Sequence, residues 1–168
     1  MKLQYVILLF LMMESFCGWS QELVHKNISY NPEINKLDFF IAINSEKSEV
    51  QIDFMNDQYL FLDFSMPGCK GCVKGIPKVI EFSKRYKDKL DVVILDSYAN
   101  HNNWMNFYEE LHTANLPLQL LLDEYGVVSK AFDVSVFPTY MLFDEKGLLI
   151  KKWVGRPPRD IDKYIGRQ

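Results

Sequence analysis

The sequence predicts an α/β domain built on a central mixed, largely parallel sheet with helices on both faces. Three observations predict it. Apolar runs of strand length alternate with segments of helical periodicity. The interior runs are almost continuously apolar, as in strands covered on both faces. The last two runs flank Asp144-Glu-Lys-Gly147, a turn signal that joins antiparallel strands. A chain of 168 residues with 48% hydrophobic and 24% charged residues suits one globular domain. Its net charge of −3, with both signs interspersed, offers no basic field to a phosphate backbone, so no nucleic acid partner is expected. The aromatic residues fall mostly inside the strand-like runs and read as core.

Residues 1–20 read as a signal peptide. Lys2 precedes the apolar run Tyr5–Met13, which is far shorter than the ~20 residues that span a bilayer as a helix. Gly18-x-Ser20 supplies small residues before a cut placed after Ser20, which implies export to the periplasm or cell envelope. Residues 21–48, polar with scattered apolar positions, read as an N-terminal arm ahead of a domain spanning 49–168.

The domain opens with Val50, Ile52 and Phe54 alternating with polar residues, the period of a half-buried strand. After the Asn56-Asp57 turn, Tyr59–Phe64 reads as a central strand carrying one acid, Asp63. The loop Ser65–Gly68 leads to Cys69, and Val73, Ile76, Val79, Ile80 and Phe82 recur at helical spacing as far as Tyr86. Asp91–Leu95 is a buried strand, and Trp104, Phe107, Tyr108 and Leu111 mark a second helix. Leu118–Leu122 is a third interior strand and Tyr125–Phe132 a short helix. Phe137–Phe143 and Leu148–Val154 form the hairpin, and Pro157-Pro158 opens a terminal helix over 158–166.

The chemistry concentrates at Cys69 and Cys72. Cleavage after Ser20 removes Cys17 and leaves these two, three positions apart. A disulfide across so small a loop adds little stability through chain entropy, so reactivity explains the pair better. At a helix start, Cys69 meets unpaired backbone N–H groups and the positive dipole end, which stabilise the attacking thiolate; Lys70 adds positive charge and Gly71 keeps the approach open. Cys72, one turn on, lies within reach to resolve a mixed disulfide. Half of a zinc site and a pair of buried structural thiols are the competing readings. No second Cys pair or His pair stands at matching spacing, with His101 and His112 eleven positions apart.

Residues 59–155 resemble the thioredoxin fold, and within it the TlpA-like exported thiol–disulfide oxidoreductases. The resemblance rests on Phe61-Leu-Asp-Phe64, Cys69-Lys-Gly-Cys72, Pro77 five positions after the second cysteine, and Phe137-Pro138-Thr139 before a strand. The segment from Leu122 to Val134, Phe143–Gly147, and the 69 positions from Cys69 to Pro138 fit the same subgroup. The resemblance implies a thioredoxin-like three-layer fold with an additional helix–strand insertion, and a redox-active Cys69–Cys72 disulfide. It also implies a proton-relaying Asp63 and a cis Pro138 opposite the cysteines whose preceding backbone pairs with substrate. Substrate binding then falls to Gly68, Lys70, Gly71, Phe137 and Thr139. Gly68 stands where the family usually has Trp. The expected activity is disulfide exchange with exported proteins, in the reducing direction. No organic cofactor or metal is needed, the electron donor is a membrane or periplasmic thiol carrier, and the protein acts as a monomer. A copper chaperone on the same fold and a peroxide-reducing relative are the alternatives. The first spaces its cysteines differently and pairs them with a His absent near Pro138. The second needs a Pro-x-x-x-Thr-x-x-Cys setting that Ser65–Cys69 lacks.

Overall fold

The computed structural model describes residues 27–54 and 57–165; the expected signal peptide, residues 1–20, lies outside them. The elements run β1 (Ile28–Asn31), β2 (Lys36–Ile43), β3 (Glu49–Asp53), β4 (Tyr59–Ser65), α1 (Lys70–Arg85) and β5 (Leu90–Ser97). They continue through α2 (His101–Phe107), α3 (Glu109–Thr113), β6 (Gln119–Asp123), α4 (Val127–Ala131), β7 (Thr139–Phe143) and β8 (Leu149–Val154). One sheet holds all eight strands in the order β1-β2-β6-β5-β4-β7-β8, with β3 on β2. The β4, β5 and β6 strands are parallel, whereas β7 joins β4 and β8 antiparallel. The additional helix–strand unit is α2, α3 and β6.

Every residue of β4 is buried, as its continuous apolar run requires. Strand alternation sends its side chains to two cores. Leu60, Leu62 and Phe64 pack with Val93, Leu95, Met141, Phe143 and with Val128 and Phe132 around α4. Tyr59 and Phe61 pack with Val92, Ile94, Tyr140 and Leu142 beneath Val79 and Phe82 of α1. Each such Leu or Phe contributes roughly 1.5–3 kcal/mol through burial. Asp63 and Ser65 continue the second row, so the pleat sets both of them under α1.

Three features differ from the sequence reading. The arm 21–48 contributes β1 and β2, and Ile28, Leu37, Phe40 and Ala42 enter the α4-side core. Pairing of β2 with β3 and, at Ile43–Leu122, with β6 ties this segment into the sheet. The expected helix over 158–166 is, in its described part, a single turn in which the Tyr164 and Ile165 N–H groups reach the Ile161 carbonyl. Asp160 engages the Asp162 N–H through its own side chain, and Ile161 and Ile165 are buried against the α1-side core. Packing of two apolar residues four apart accounts for the spacing without a longer helix. The second predicted helix is broken at Tyr108, whose side chain is drawn inward and leaves α2 and α3 as separate short pieces.

The β7–β8 turn locks the N-terminal strands in place. The Asp144 carboxylate accepts the N–H groups of Lys146 and Leu148, at 2.9 and 2.8 Å. The Leu37 N–H donates to the Gly147 carbonyl at 2.8 Å, and the Leu149 N–H to the Asn35 carbonyl at 2.9 Å. Gly147 has φ +81°, and a Cβ there would fall on the Leu37 carbonyl oxygen. Gly147→Ala is therefore expected to lower stability by about 2 kcal/mol or more, from left-handed strain plus the clash. Urea unfolding checks this, with loss of the midpoint expected and an unchanged midpoint contradicting the clamp between turn and β2.

Candidate active site

Where β4 ends, a tight turn delivers Cys69 to the start of α1. The Cys69 N–H donates to the Met66 carbonyl at 3.2 Å, and Gly68 adopts φ +81°, which glycine takes without strain. Cys69 is the N-cap residue of α1, with extended φ −74° and ψ 102°. Its Sγ accepts the Cys72 backbone N–H at 3.1 Å. The first turn of α1 carries no acid, so the positive end of the dipole faces this sulfur without a competing negative side chain. Cys69 and Cys72 are joined by a disulfide, with Cα atoms 5.3 Å apart. Cys69 is partly exposed and Cys72 fully buried. Gly68, Lys70 and Gly71 surround them at the surface.

The loop before β7 packs against this turn. The Phe137–Pro138 peptide is cis, and Pro138 is buried beside Gly71, where a Cβ would come within 3.2 Å of the proline Cδ and 3.9 Å of the Cys69 Sγ. The sequence-predicted Pro138 and both cysteines thus meet at one place. Phe137 is half-buried, its ring 6.2 Å from that of Tyr98 in an edge-on contact. Thr139 is buried, and its hydroxyl donates to the Val136 carbonyl at 2.7 Å, so that side chain supports the loop from within. On the far side of the loop, the Gly155 N–H donates to the Pro138 carbonyl at 2.8 Å.

Asp63 is buried beneath α1, and neither carboxylate oxygen has a hydrogen-bond partner among the described residues. Burial pushes its pKa well above the usual carboxylate value, and the charge of Asp96 pushes it further. Its neighbour across the antiparallel ladder is Tyr140. A Cβ on Gly75 of α1 would fall on the Tyr140 hydroxyl, so this row lies directly under the first two turns of the helix, where Cys72 also points inward.

A second buried acid, Asp96, was not singled out in the sequence. It stands on the same face at the end of β5, in register with Ser65 of β4. The Tyr108 hydroxyl donates to Asp96 Oδ1 at 3.2 Å and lies 3.0 Å from the Ser65 hydroxyl, which is left to act as donor to it. Burial pushes the Asp96 pKa up to about 7, while interactions with Tyr108, Trp104 and Ser65 pull it part of the way back. Parity was the available signal. Val92, Ile94 and Asp96 alternate on one face just as Tyr59, Phe61 and Asp63 do. Among the described residues, no group of three or more His, Cys, Asp or Glu side chains is placed to hold a metal ion.

Comparison with known proteins agrees with this geometry. A thioredoxin-like family model matches residues 56–149, more than half of the chain. Thiol-disulfide oxidoreductase ResA of Bacillus thuringiensis subsp. konkukian is 24% identical over 128 residues, which cover 75% of this chain and 72% of ResA. Thioredoxin-like protein YneN of Bacillus subtilis strain 168 is 27% identical over 151 residues, covering 88% of this chain and 87% of YneN. The crystal structure of the pneumococcal exposed lipoprotein thioredoxin Etrx1, from Streptococcus pneumoniae strain TIGR4, matches with a TM-score of 0.62 at 22% identity, over 71% of this chain and 91% of that one. The chain belongs to the thioredoxin-like family.

Proposed function

We propose that this protein is a thiol–disulfide oxidoreductase that reduces disulfides of exported proteins through Cys69 and Cys72. One observation carries the reading: a Cys-x-x-Cys disulfide at the N-terminus of α1, its first sulfur reachable and its second sealed, with Pro138 alongside. The names of curated relatives such as ResA support it. Export is supported by the signal-like pattern of residues 1–20, with cleavage after Ser20, and by the likeness to a lipoprotein described as exposed. Among the described residues, no helix is long and apolar enough to cross a membrane. A monomer that draws electrons from a membrane or periplasmic thiol carrier completes the reading.

In the reduced protein, the Cys69 thiolate attacks one sulfur of the substrate disulfide. The S–S bond breaks, the departing substrate sulfur takes a proton, and a Cys69–substrate disulfide forms. Cys72 then loses its proton and attacks the Cys69 Sγ. The second substrate thiol leaves, the Cys69–Cys72 disulfide forms, and two electrons have passed to the substrate. A thiol donor reverses these steps to restore the dithiol. The backbone N–H groups at the start of α1 hold the Cys69 thiolate. Asp63, in the row beneath Cys72, takes the Cys72 proton when it is in its ionised form, and burial raises its proton affinity above that of an ordinary carboxylate. Gly68, Lys70, Gly71 and Phe137 form the surface that meets the substrate.

Two outcomes test this. Cys72→Ser should accumulate a mixed disulfide with a protein substrate such as insulin, seen as a reductant-sensitive band on non-reducing gels, whereas Cys69→Ser should trap none. The reverse pattern would exchange the two roles, and absence of both trapping and insulin reduction would remove the oxidoreductase reading.

Asp63→Asn should slow exchange by about 10²-fold, the lower range for a lost proton-transfer group. It should also stabilise the fold at neutral pH. Above the unfolded carboxylate pKa, the unfolded chain ionises Asp63 while the folded chain keeps it protonated, so the raised folded pKa costs stability increasingly as pH rises. Unfolding midpoints of variant and parent should therefore coincide near pH 3.5 and diverge in the variant's favour towards pH 7. Unchanged kinetics together with parallel stability curves would contradict the relay.

A further inference from the structure

We propose that the groove on the Gly71 side of the disulfide binds an acidic segment of the protein whose disulfide meets Cys69, and so selects substrates. The inference rests on the oxidoreductase reading above. Lys70, Lys74 and Lys78 are spaced four apart on α1 and form one stripe, stepping ~6 Å each along the helix away from the N-cap cysteine. Across from this stripe run Arg156 and Arg159, in the segment that follows β8. Lys74, Lys78, Arg156 and Arg159 line a groove whose remaining surface is Gly71, Gly75, Gly155 and two prolines, with no acid among the lining residues.

The glycines give the groove its shape. Gly75 faces the Tyr140 hydroxyl and the Pro157 ring, so the flank of α1 is flat where a side chain would otherwise stand. Gly155 holds the Pro138 carbonyl, which joins the groove to the loop beside Cys69. Among the described residues, Lys74, Arg156 and Arg159 enter no ion pair, while Lys78 is held by Glu81 at 2.8 Å at the distal end. Asp160 and Asp162 are occupied by Lys163 and Arg85. Three of the four cations lining the groove are thus unpaired among the described residues, and the groove borders the loop beside Cys69 through Gly71 and Gly155, in a chain whose net charge is −3.

The opposite flank of α1 has a different character. Val73, Ile76, Pro77 and Phe107 form an apolar surface there, rimmed by Glu109 and Glu110. An extended chain crossing Cys69 would find cations on one side and carboxylates on the other, which fixes the direction in which an acidic flank can lie. A bilayer surface could satisfy the cations, but it carries no disulfide to the adjacent sulfur. The shared edge with Cys69 favours a protein.

The test uses two disulfide-linked peptides that differ only in residues beside the cysteine, Asp and Glu in one and Ser and Asn in the other. Stopped-flow kinetics with the full-length reduced protein should give an exchange rate constant roughly tenfold higher for the acidic peptide at low ionic strength. The advantage should vanish near 1 M salt, where the Debye length is ~3 Å. It should also vanish in the combined variant Lys74→Gln, Arg156→Gln, Arg159→Gln. Equal rates for the two peptides at low salt would overturn the proposal, as would an advantage that survives the triple substitution. Equal rates accompanied by groove-dependent binding to anionic phospholipid vesicles would assign the cations to a membrane instead. Failure to exchange with either peptide would remove the oxidoreductase reading, and this proposal with it.

Discussion

Helix α1 approaches β7 and its preceding loop so closely that glycine occupies both positions of nearest contact. Gly71 faces Pro138, and Gly75 faces the Tyr140 hydroxyl. The other features of the site follow from that approach. It seals Cys72 while the N-cap position leaves Cys69 at the surface. It closes the helix over the row formed by Asp63, Ser65, Asp96 and Tyr140. It also leaves Gly71 and Gly75 bare on the flank of α1 that carries the Lys stripe, so those lysines and the two arginines border a groove instead of a filled wall. A larger residue at 75 would push the helix off the sheet and open the acids to water.

Electrostatics beneath and above the helix act in opposite senses. Above, the backbone N–H groups of the first turn stabilise negative charge on the outer sulfur. Below, burial makes negative charge expensive on Asp63 and Asp96, and the charge of Asp96 raises the cost further on Asp63. Asp96 is partly relieved by the Tyr108 hydroxyl, whereas Asp63 has no hydrogen-bond partner among the described residues. The two cysteines are three residues apart yet face contrary environments, and the proposed division between an attacking Cys69 and a resolving Cys72 rests on this contrast. The unpartnered Asp63 burdens the fold, which is the expected form of a stability cost retained at a functional position.

Features that are local in the chain were legible in the sequence. Strands β4 to β8 follow from apolar runs and turn residues, and the redox pair follows from cysteine spacing at a helix start. Features that arise only when distant segments meet were less so. The apolar positions of Leu37–Ile43 read as scattered ones in an arm, because although β3 follows directly, the β6 edge and the α4-side core that they join lie far downstream. Tyr108 fitted one continuous helix, and only its link to Asp96 and Ser65 explains the break. Asp96 ended an apolar run like any strand-terminal acid until the sheet set it beside Asp63. The basic groove joins α1 to residues some eighty positions later, and no periodicity connects the two.

The account's central claim is the unequal setting of the two sulfurs, and selective alkylation tests it most directly. The fully reduced native protein would be treated briefly with iodoacetamide across a pH series, and the modified peptides mapped by mass spectrometry. The account predicts rapid labelling at Cys69, declining as pH falls and its thiolate is protonated, with Cys72 unmodified until the protein is denatured. Equal labelling of both cysteines in the native state, or faster labelling of Cys72, would contradict it.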